Sequence, residues 1–210
     1  MPLSPGMQLR WRVGYWILYA IARFGMGLRI EGRQNVPRTG ALIVAPNHLS
    51  NIDPPLVGVG VGVRELHFLA RHDLFEGMKF FAWLIRNLNA IPLKKGKVSL
   101  EAFRGVIDIL KRDEAVVIFP EGTRSRTGRL QEPQIGLGYL AMKSGARILP
   151  TYLEGTNERV IDLVMRRRPL LVRFAQPLDP MKIAENAQRR ERYRRISEEV
   201  MNSIIALAAE

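Results

Sequence analysis

The chain contains no cysteine. That removes a disulfide scaffold, Cys-ligated zinc, iron–sulfur clusters and a thiol nucleophile, and it fits a reducing compartment. The chain is also poor in acid: 20 Asp and Glu stand against 32 Lys and Arg, a formal net charge of +12. Such a surface attracts anions, among them nucleic acid, anionic lipid headgroups, phosphorylated substrates and acidic carrier proteins. Aromatic residues are too few for a base-stacking surface, at 8 Phe, 5 Tyr and 3 Trp. No nucleic-acid-binding motif accompanies the charge, so nucleic acid is not expected as a partner. In the apolar N-terminal segment the uninterrupted run reaches only from Val13 to Ala22, about half of the ~20 residues that a spanning helix needs. What is present is 210 residues, 47% of them apolar and 25% charged. That composition folds around one core, as a single domain or a domain with a short appendage.

Around the apolar run sit Arg10, Arg12, Arg23 and Arg29, interleaved with Trp11, Tyr15, Trp16 and Tyr19. Basic residues beside Trp and Tyr are the composition of a helix lying in a membrane interface. Two other readings remain open. One is a signal peptide, for which no A-x-A-like cleavage site follows the run. The other is an amphipathic helix packed on the domain's own core. The interfacial reading divides the chain into an N-terminal interfacial helical segment, 1–29, and the domain proper, 30–210.

After Glu31 the pattern changes. Short apolar, partly β-branched runs predict strands at Ala41–Ala45, His67–Ala70, Ala115–Phe119, Arg147–Leu153 and Leu170–Ala175. Helix-length segments fall between and after them, at about 54–63, 77–88, 98–112, 135–144 and 180–208. In 98–112 the spacing puts Leu100, Phe103, Val106, Ile107 and Leu110 on one face. Strand and helix in alternation predict an α/β domain with a mostly parallel sheet flanked by helices, with its working residues at the carboxyl ends of strands. The final helix opens on Arg189, Arg190, Arg192, Arg194 and Arg195, a run that reads as a solvated face.

Two strand ends carry candidate chemistry. The first reads Ala45-Pro-Asn-His48-Leu-Ser-Asn-Ile-Asp53-Pro-Pro. Asp53 before Pro54 predicts a helix start with a capping carboxylate. His48 on the turn before it can hydrogen-bond Asp53, which would fix the imidazole tautomer and make a general base. A merely structural His–Asp contact is the competing reading. The second reads Phe119-Pro-Glu121-Gly122-Thr123-Arg124-Ser125. Gly122 allows close backbone approach to a ligand, and the Arg124 guanidinium is a fork for phosphate oxygens. Here the competitor is a tight turn with a surface ion pair. Other chemistries fail on spacing. Ser50 lies near His48 and Asp53 without a G-x-S-x-G elbow. His48 and Asp53 have no third metal ligand at a recognised spacing, and no Walker A sequence occurs. His67 and His72 have no similar partner pattern and read as structural or surface residues.

Taken together, N-H-x-x-x-x-D and F-P-E-G-T-R-S make the chain resemble the glycerolipid acyltransferase family, the bacterial 1-acyl-sn-glycerol-3-phosphate acyltransferases above all. The likeness runs from about Ile30 to Gly155. It takes in Phe68-Leu-Ala-Arg71-His-Asp-Leu-Phe75, Ala90-Ile-Pro-Leu-Lys-Lys-Gly96, the Gly136 segment and Ile148-Leu-Pro150 through Gly155-Thr156.

The resemblance implies direct acyl transfer from acyl-CoA or acyl-acyl carrier protein to the free hydroxyl of lysophosphatidic acid, giving phosphatidic acid. His48 would be the base and Asp53 its orienter. Glu121, Gly122, Thr123 and Arg124 would hold the phosphate-bearing glycerol, and Lys95 would supply a further cation where the family often has Arg. Lys is a point charge and not a bidentate fork. The family's aromatic and Lys before the glycine of the Gly136 segment are here Pro133-Gln134-Ile135, and Arg71 stands where Lys is common. These departures leave another lysophospholipid or a lyso-aminolipid open as acceptor. A third reading is a peripheral protein that binds anionic lipid without catalysis. No metal or redox cofactor is implied, the acyl thioester being a co-substrate. The place of work would be the cytoplasmic face of the cell membrane, with the protein peripheral or monotopic on the phospholipid surface.

Overall fold

A computed structural model of the chain describes residues 8–71, 76, 89–93, 100–185 and 187–210. Among them are seven strands in one sheet: β1 (Arg29–Glu31), β2 (Leu42–Pro46), β3 (His67–Arg71), β4 (Ala90–Leu93), β5 (Ala115–Val117), β6 (Arg147–Glu154) and β7 (Leu171–Phe174). Their order across the sheet is β1-β7-β6-β2-β5-β3-β4. All neighbours run parallel except β6 and β7, which pair antiparallel from Thr151 opposite Phe174 to Glu154 opposite Leu171. The mostly parallel α/β architecture is therefore as the sequence predicts. The all-apolar β2 lies at the centre, with every residue from Leu42 to Pro46 buried, as a strand covered on both faces requires.

Among the described residues the α-helices are α1 (Leu9–Ala20), α2 (Asp53–Val61), α3 (Leu100–Lys111), α4 (Gly136–Ser144), α5 (Val160–Val164), α6 (Pro180–Ile183) and α7 (Arg189–Ala209). One face of the sheet packs against α1 and α2: Trp11, Leu56, Val57 and Val59 bury against Val44, Val117, Leu149 and Val172. The other packs against α3, α4 and α7, where Val106, Leu110, Leu140, Ile196 and Val200 meet Ile43, Val116 and Ile148. The result is a sheet between two helical layers.

Several sequence expectations shift. The predicted helix 77–88 lies outside the described residues. On α3 the buried stripe is Val106, Ile109 and Leu110, while Leu100, the first helical residue, faces solvent at 76% exposure. The single helix expected over 180–208 is two. Asp179 caps α6 through its side chain, which accepts from the Met181 amide, and the chain turns before α7 begins at Arg189. The short strands β1 and β4 and the helix α5 had no counterpart among the predicted elements.

The N-terminal segment joins the core. Trp11 and Tyr15 are each 6% exposed. Trp11 stacks on Phe68 with ring centroids 6.2 Å apart. The Tyr15 hydroxyl accepts from Arg33 Nη2 at 2.8 Å. After α1 the backbone widens into a π turn over Ile21–Gly25. The opposite face of this segment stays bare: Val13, Trp16, Ile17 and Ile21 are all more than half exposed, and Phe24 is 72% exposed. Among the described residues no helix is long and apolar enough to cross a membrane.

Candidate active site

The site begins where β2 ends. Asn47, 1% exposed, bonds β6 with both ends of its amide. Its Nδ2 donates to the Leu153 carbonyl at 3.0 Å, and its Oδ1 accepts from the Leu153 amide at 2.7 Å. That double tether fixes the residue before His48. His48 Nδ1 then lies 2.7 Å from Asp53 Oδ2. The same oxygen accepts the backbone N–H groups of Leu49 at 2.7 Å and Ser50 at 2.8 Å. Asp53 is fully buried, and a buried carboxylate receiving three donors is held in one orientation. A carboxylate accepts, so Nδ1 is the donor in this contact.

Asp53 departs from its expected local role. It is the first residue of α2, with Ile52 at the cap position and no side-chain cap bond. Its carboxylate turns back into the preceding loop and does not cap the helix. The local logic of the sequence is nevertheless sound, since Pro54 and Pro55 at the helix start lack N–H groups that would otherwise need partners there.

The turn after β5 closes over the first. The Phe119 ring stacks on the His48 imidazole with centroids 3.8 Å apart and planes 19° from parallel. Glu121 Oε1 accepts the His48 backbone N–H at 2.9 Å, and Oε2 accepts from Gln131 Nε2 at 3.0 Å. The Ser125 amide donates to the His48 carbonyl at 2.8 Å. Both main-chain groups of His48 are thus held by the F-P-E-G-T-R-S segment. Gly122 sits at φ +71°, a left-handed conformation that favours glycine. Burial pushes the Glu121 carboxyl above its ordinary range, although the bonds from His48 and Gln131 oppose that shift.

The structure therefore brings His48, Asp53, Glu121 and Gly122 together. Thr123 and Arg124 follow directly on the exposed rim, just before Ser125 returns to His48. Glu121 is 3% exposed and spends both oxygens inside the chain. Its geometry is that of a residue that positions His48. Lys95, together with Lys94, lies outside the described residues. Three contributors carried no readable signal: the Phe119 stack, the Gln131 bond to Glu121 and the Asn47 tether to β6. Each depends on a partner brought up by the sheet, and only the motif membership of Phe119 and Asn47 marked them at all. His67 also has a partner that spacing did not reveal. Its Nε2 meets Glu114 Oε2 at 2.5 Å, at the amino ends of β3 and β5 and therefore at the opposite end of the sheet from His48.

The site is thus a histidine whose Nδ1 meets a buried carboxylate, beside a turn that carries a left-handed glycine and an exposed arginine. The acyltransferase family model matches residues 27–154, and the chain belongs to this family. It is similar to the 1-acyl-sn-glycerol-3-phosphate acyltransferase of Borreliella burgdorferi, with 28% identity over 165 residues, 77% of this chain and 65% of that one. A protein of the same name from Bacillus subtilis is 27% identical over 99 residues, 47% of this chain and 49% of that one. The chain thus spans about half to just under two thirds of the lengths of these curated relatives. Among solved structures, the 1-acyl-sn-glycerophosphate (LPA) acyltransferase PlsC of Thermotoga maritima superposes with a TM-score of 0.68 at 26% identity, over 98% of this chain and 85% of that one.

Proposed function

We propose that the protein transfers an acyl group from a thioester donor, acyl-CoA or acyl-acyl carrier protein, to the free hydroxyl of 1-acyl-sn-glycerol-3-phosphate. The product is phosphatidic acid, and the reaction belongs to phospholipid biosynthesis. The observation that carries this reading is the 2.7 Å contact between His48 Nδ1 and the buried Asp53 Oδ2, which leaves Nε2 free as a base. The names of the similar proteins supply the acceptor.

In this mechanism Nε2 takes the proton of the acceptor hydroxyl as its oxygen attacks the thioester carbonyl. A tetrahedral oxyanion forms. Its collapse breaks the carbon–sulfur bond, and the leaving thiolate takes the proton back from the imidazolium. The ester and the free thiol are the products, and His48 ends as it began. Asp53 holds the Nδ1–H tautomer throughout and stabilises the transient imidazolium. No acyl-enzyme is needed. The exposed Arg124 and the open backbone at Gly122 and Thr123 suit the phosphate of the acceptor, and Lys95 is assigned the same role. The excess of positive charge favours approach of either anionic donor.

The bare apolar face of α1 and the π turn after it, with Trp16, Ile17, Ile21 and Phe24 outward, supports peripheral or monotopic attachment to a membrane, which we place at the cytoplasmic face of the cell membrane. It is the kind of surface that enters the headgroup region while the flanking arginines stay at phosphate level. The test is purified full chain, a labelled acyl thioester and a panel of lysolipids in detergent micelles. Lysophosphatidic acid is expected to be the preferred acceptor, with both acyl-CoA and acyl-acyl carrier protein tried as donors. Preference for a lyso-aminolipid or another lysophospholipid would reassign the acceptor, and no transfer to any of them would overturn the reading.

A further inference from the structure

A second bare apolar surface lies away from α1 in sequence but beside it in space. Helix α5 buries Leu163 completely in the cluster that also holds Trp11, Ala22 and Leu28. Its other side is open. Val160 is 64% exposed, Ile161 53%, Val164 50%, and Met165 just after the helix 54%. Four large apolar side chains on one short turn are an unusual thing to leave in water.

The turn is framed in positive charge. Arg159 precedes it and Arg166, Arg167 and Arg168 follow. Asp162 reaches both ends: Arg159 Nε donates to its Oδ2 at 2.8 Å, and Arg167 Nη1 lies 3.6 Å from its Oδ1. One carboxylate therefore draws two arginines to either end of the apolar face without neutralising the group. Arg168 reaches Glu158 only at 4.0 Å. Apolar side chains projecting between arginines match the layering of an anionic bilayer surface, acyl chains beneath phosphates.

Its place in the fold gives the turn a consequence. β6 runs parallel to β2, and Leu153 near its carboxyl end is bonded twice by Asn47. The chain reaches α5 soon after, so the turn lies at the His48 end of the sheet. Arg166 in turn lies across the backbone at Gly27, just past the π turn that ends the N-terminal segment; a Cβ added at Gly27 would meet its side chain at 3.6 Å. The bare faces of α1 and α5 thus flank one contact on one layer of the molecule.

We propose that the Val160–Met165 turn is a second membrane-contacting element, which together with α1 sets the His48 end of the sheet against an anionic bilayer. Two separated contacts fix an orientation where one helix alone leaves the domain free to roll about its axis. The occupant is a lipid surface. The proposal rests on the reading that the acceptor is membrane-borne for its benefit to catalysis, but not for the contact itself.

The absence of cysteine gives a direct probe. In the full chain, Ile161→Cys labelled with an environment-sensitive fluorophore is expected to shift to the blue on adding phosphatidylglycerol-containing vesicles, and to be quenched by spin-labelled acyl chains. The same label at Asp108→Cys, exposed on α3 in the opposite layer, is expected to do neither. The double variant Ile161→Glu/Val164→Glu, changed only at exposed positions, is expected to partition roughly tenfold or more weakly onto those vesicles. It should acylate micellar lysophosphatidic acid as the parent does and lose rate only when the acceptor is presented in vesicles. No blue shift at Ile161→Cys, or undiminished partitioning of the double variant, overturns the proposal. So does a vesicle-independent change in sedimentation of the double variant, which would make the patch a contact between copies of the chain. If the parent fails to acylate lysophosphatidic acid in micelles, the functional reading falls, and the fluorescence result still decides this one.

Discussion

Glu121 Oε1 accepts the backbone N–H of His48 at 2.9 Å. The carboxylate of one motif thus holds the main chain of the other, and His48 is fixed from outside its own loop. Gln131 holds Glu121 in turn. Glu121→Ala is expected to lower kcat by about 10-fold or more while the fold survives, because it leaves the half-buried His48 amide unpaired and lets the imidazole drift. Glu121→Gln, which keeps one acceptor oxygen, should lose less. Steady-state kinetics on both variants check this; equal activity in parent and Glu121→Ala would remove Glu121 from the positioning role.

The same carboxyl predicts a pH dependence of stability. Burial raises its folded-state affinity for a proton above that of the unfolded chain. Between the ordinary carboxylate range and the raised folded value, the native state binds more protons than the unfolded one, so stability falls as pH rises through that window. The parent should therefore lose stability relative to Glu121→Gln on going from acid toward neutral pH. Urea midpoints of the two proteins measured side by side across that range test the sign; a difference that is flat or grows the other way would contradict it.

Packing behind the site makes a separate prediction. Gly138 on α4 lies against α7, where its amide donates to Ser197 Oγ at 3.2 Å. A Cβ there would collide with the Tyr193 carbonyl oxygen. Ser197 Oγ also donates to the Gln134 carbonyl at 3.0 Å, and the Gln134 amide donates to Pro120 O at 2.8 Å. Gly138→Ala is expected to cost about 1–3 kcal/mol by overpacking, read as a lower urea midpoint, despite alanine's better helix propensity.

The two faces of α1 separate stability from membrane binding. Trp11→Ala should cost roughly 3–5 kcal/mol, the range for emptying a buried aromatic site. Ile17→Ser, on the bare face, should leave the unfolding midpoint nearly unchanged and weaken vesicle co-sedimentation. If Trp11→Ala is as stable as the parent, α1 does not belong to the core in solution.

Much of this is legible in the sequence. The strand ALIVA, the His48–Asp53 pair and the F-P-E-G-T-R-S turn are local features: a short run, a five-residue spacing and a strand end. What stayed hidden depends on distant partners. β1 is Arg29–Glu31, too short for an alternation to declare itself, and it exists by pairing with β7 through Ile30 opposite Val172. The stack of Phe119 on His48 and the pairing of His67 with Glu114 are likewise made by the sheet. Leu100 fits the apolar period of α3 but faces solvent, because periodicity assigns a face without saying where along a helix the core begins. The break between α6 and α7 has no local mark, because the residues around Ala184 include no proline or glycine.

Arg124 gives the sharpest test of acceptor recognition. It stands exposed on the rim of the turn that holds His48. If it binds the acceptor phosphate through a charge-assisted hydrogen bond, worth about 1.5–3 kcal/mol, Arg124→Ala should raise the acceptor KM roughly tenfold or more and leave the donor KM in place. An equal loss with a phosphate-free acceptor would show that Arg124 does not read phosphate.

The most direct measurement is acyl transfer to lysophosphatidic acid by His48→Ala, with folding followed by circular dichroism. In the proposed mechanism His48 Nε2 is the base for the hydroxyl, so turnover should fall by about 10²–10⁴-fold or more with the spectrum unchanged. Asp53→Asn, which removes the anchor of the tautomer, should also be severely impaired. Wild-type turnover by a folded His48→Ala protein would contradict the account at its centre.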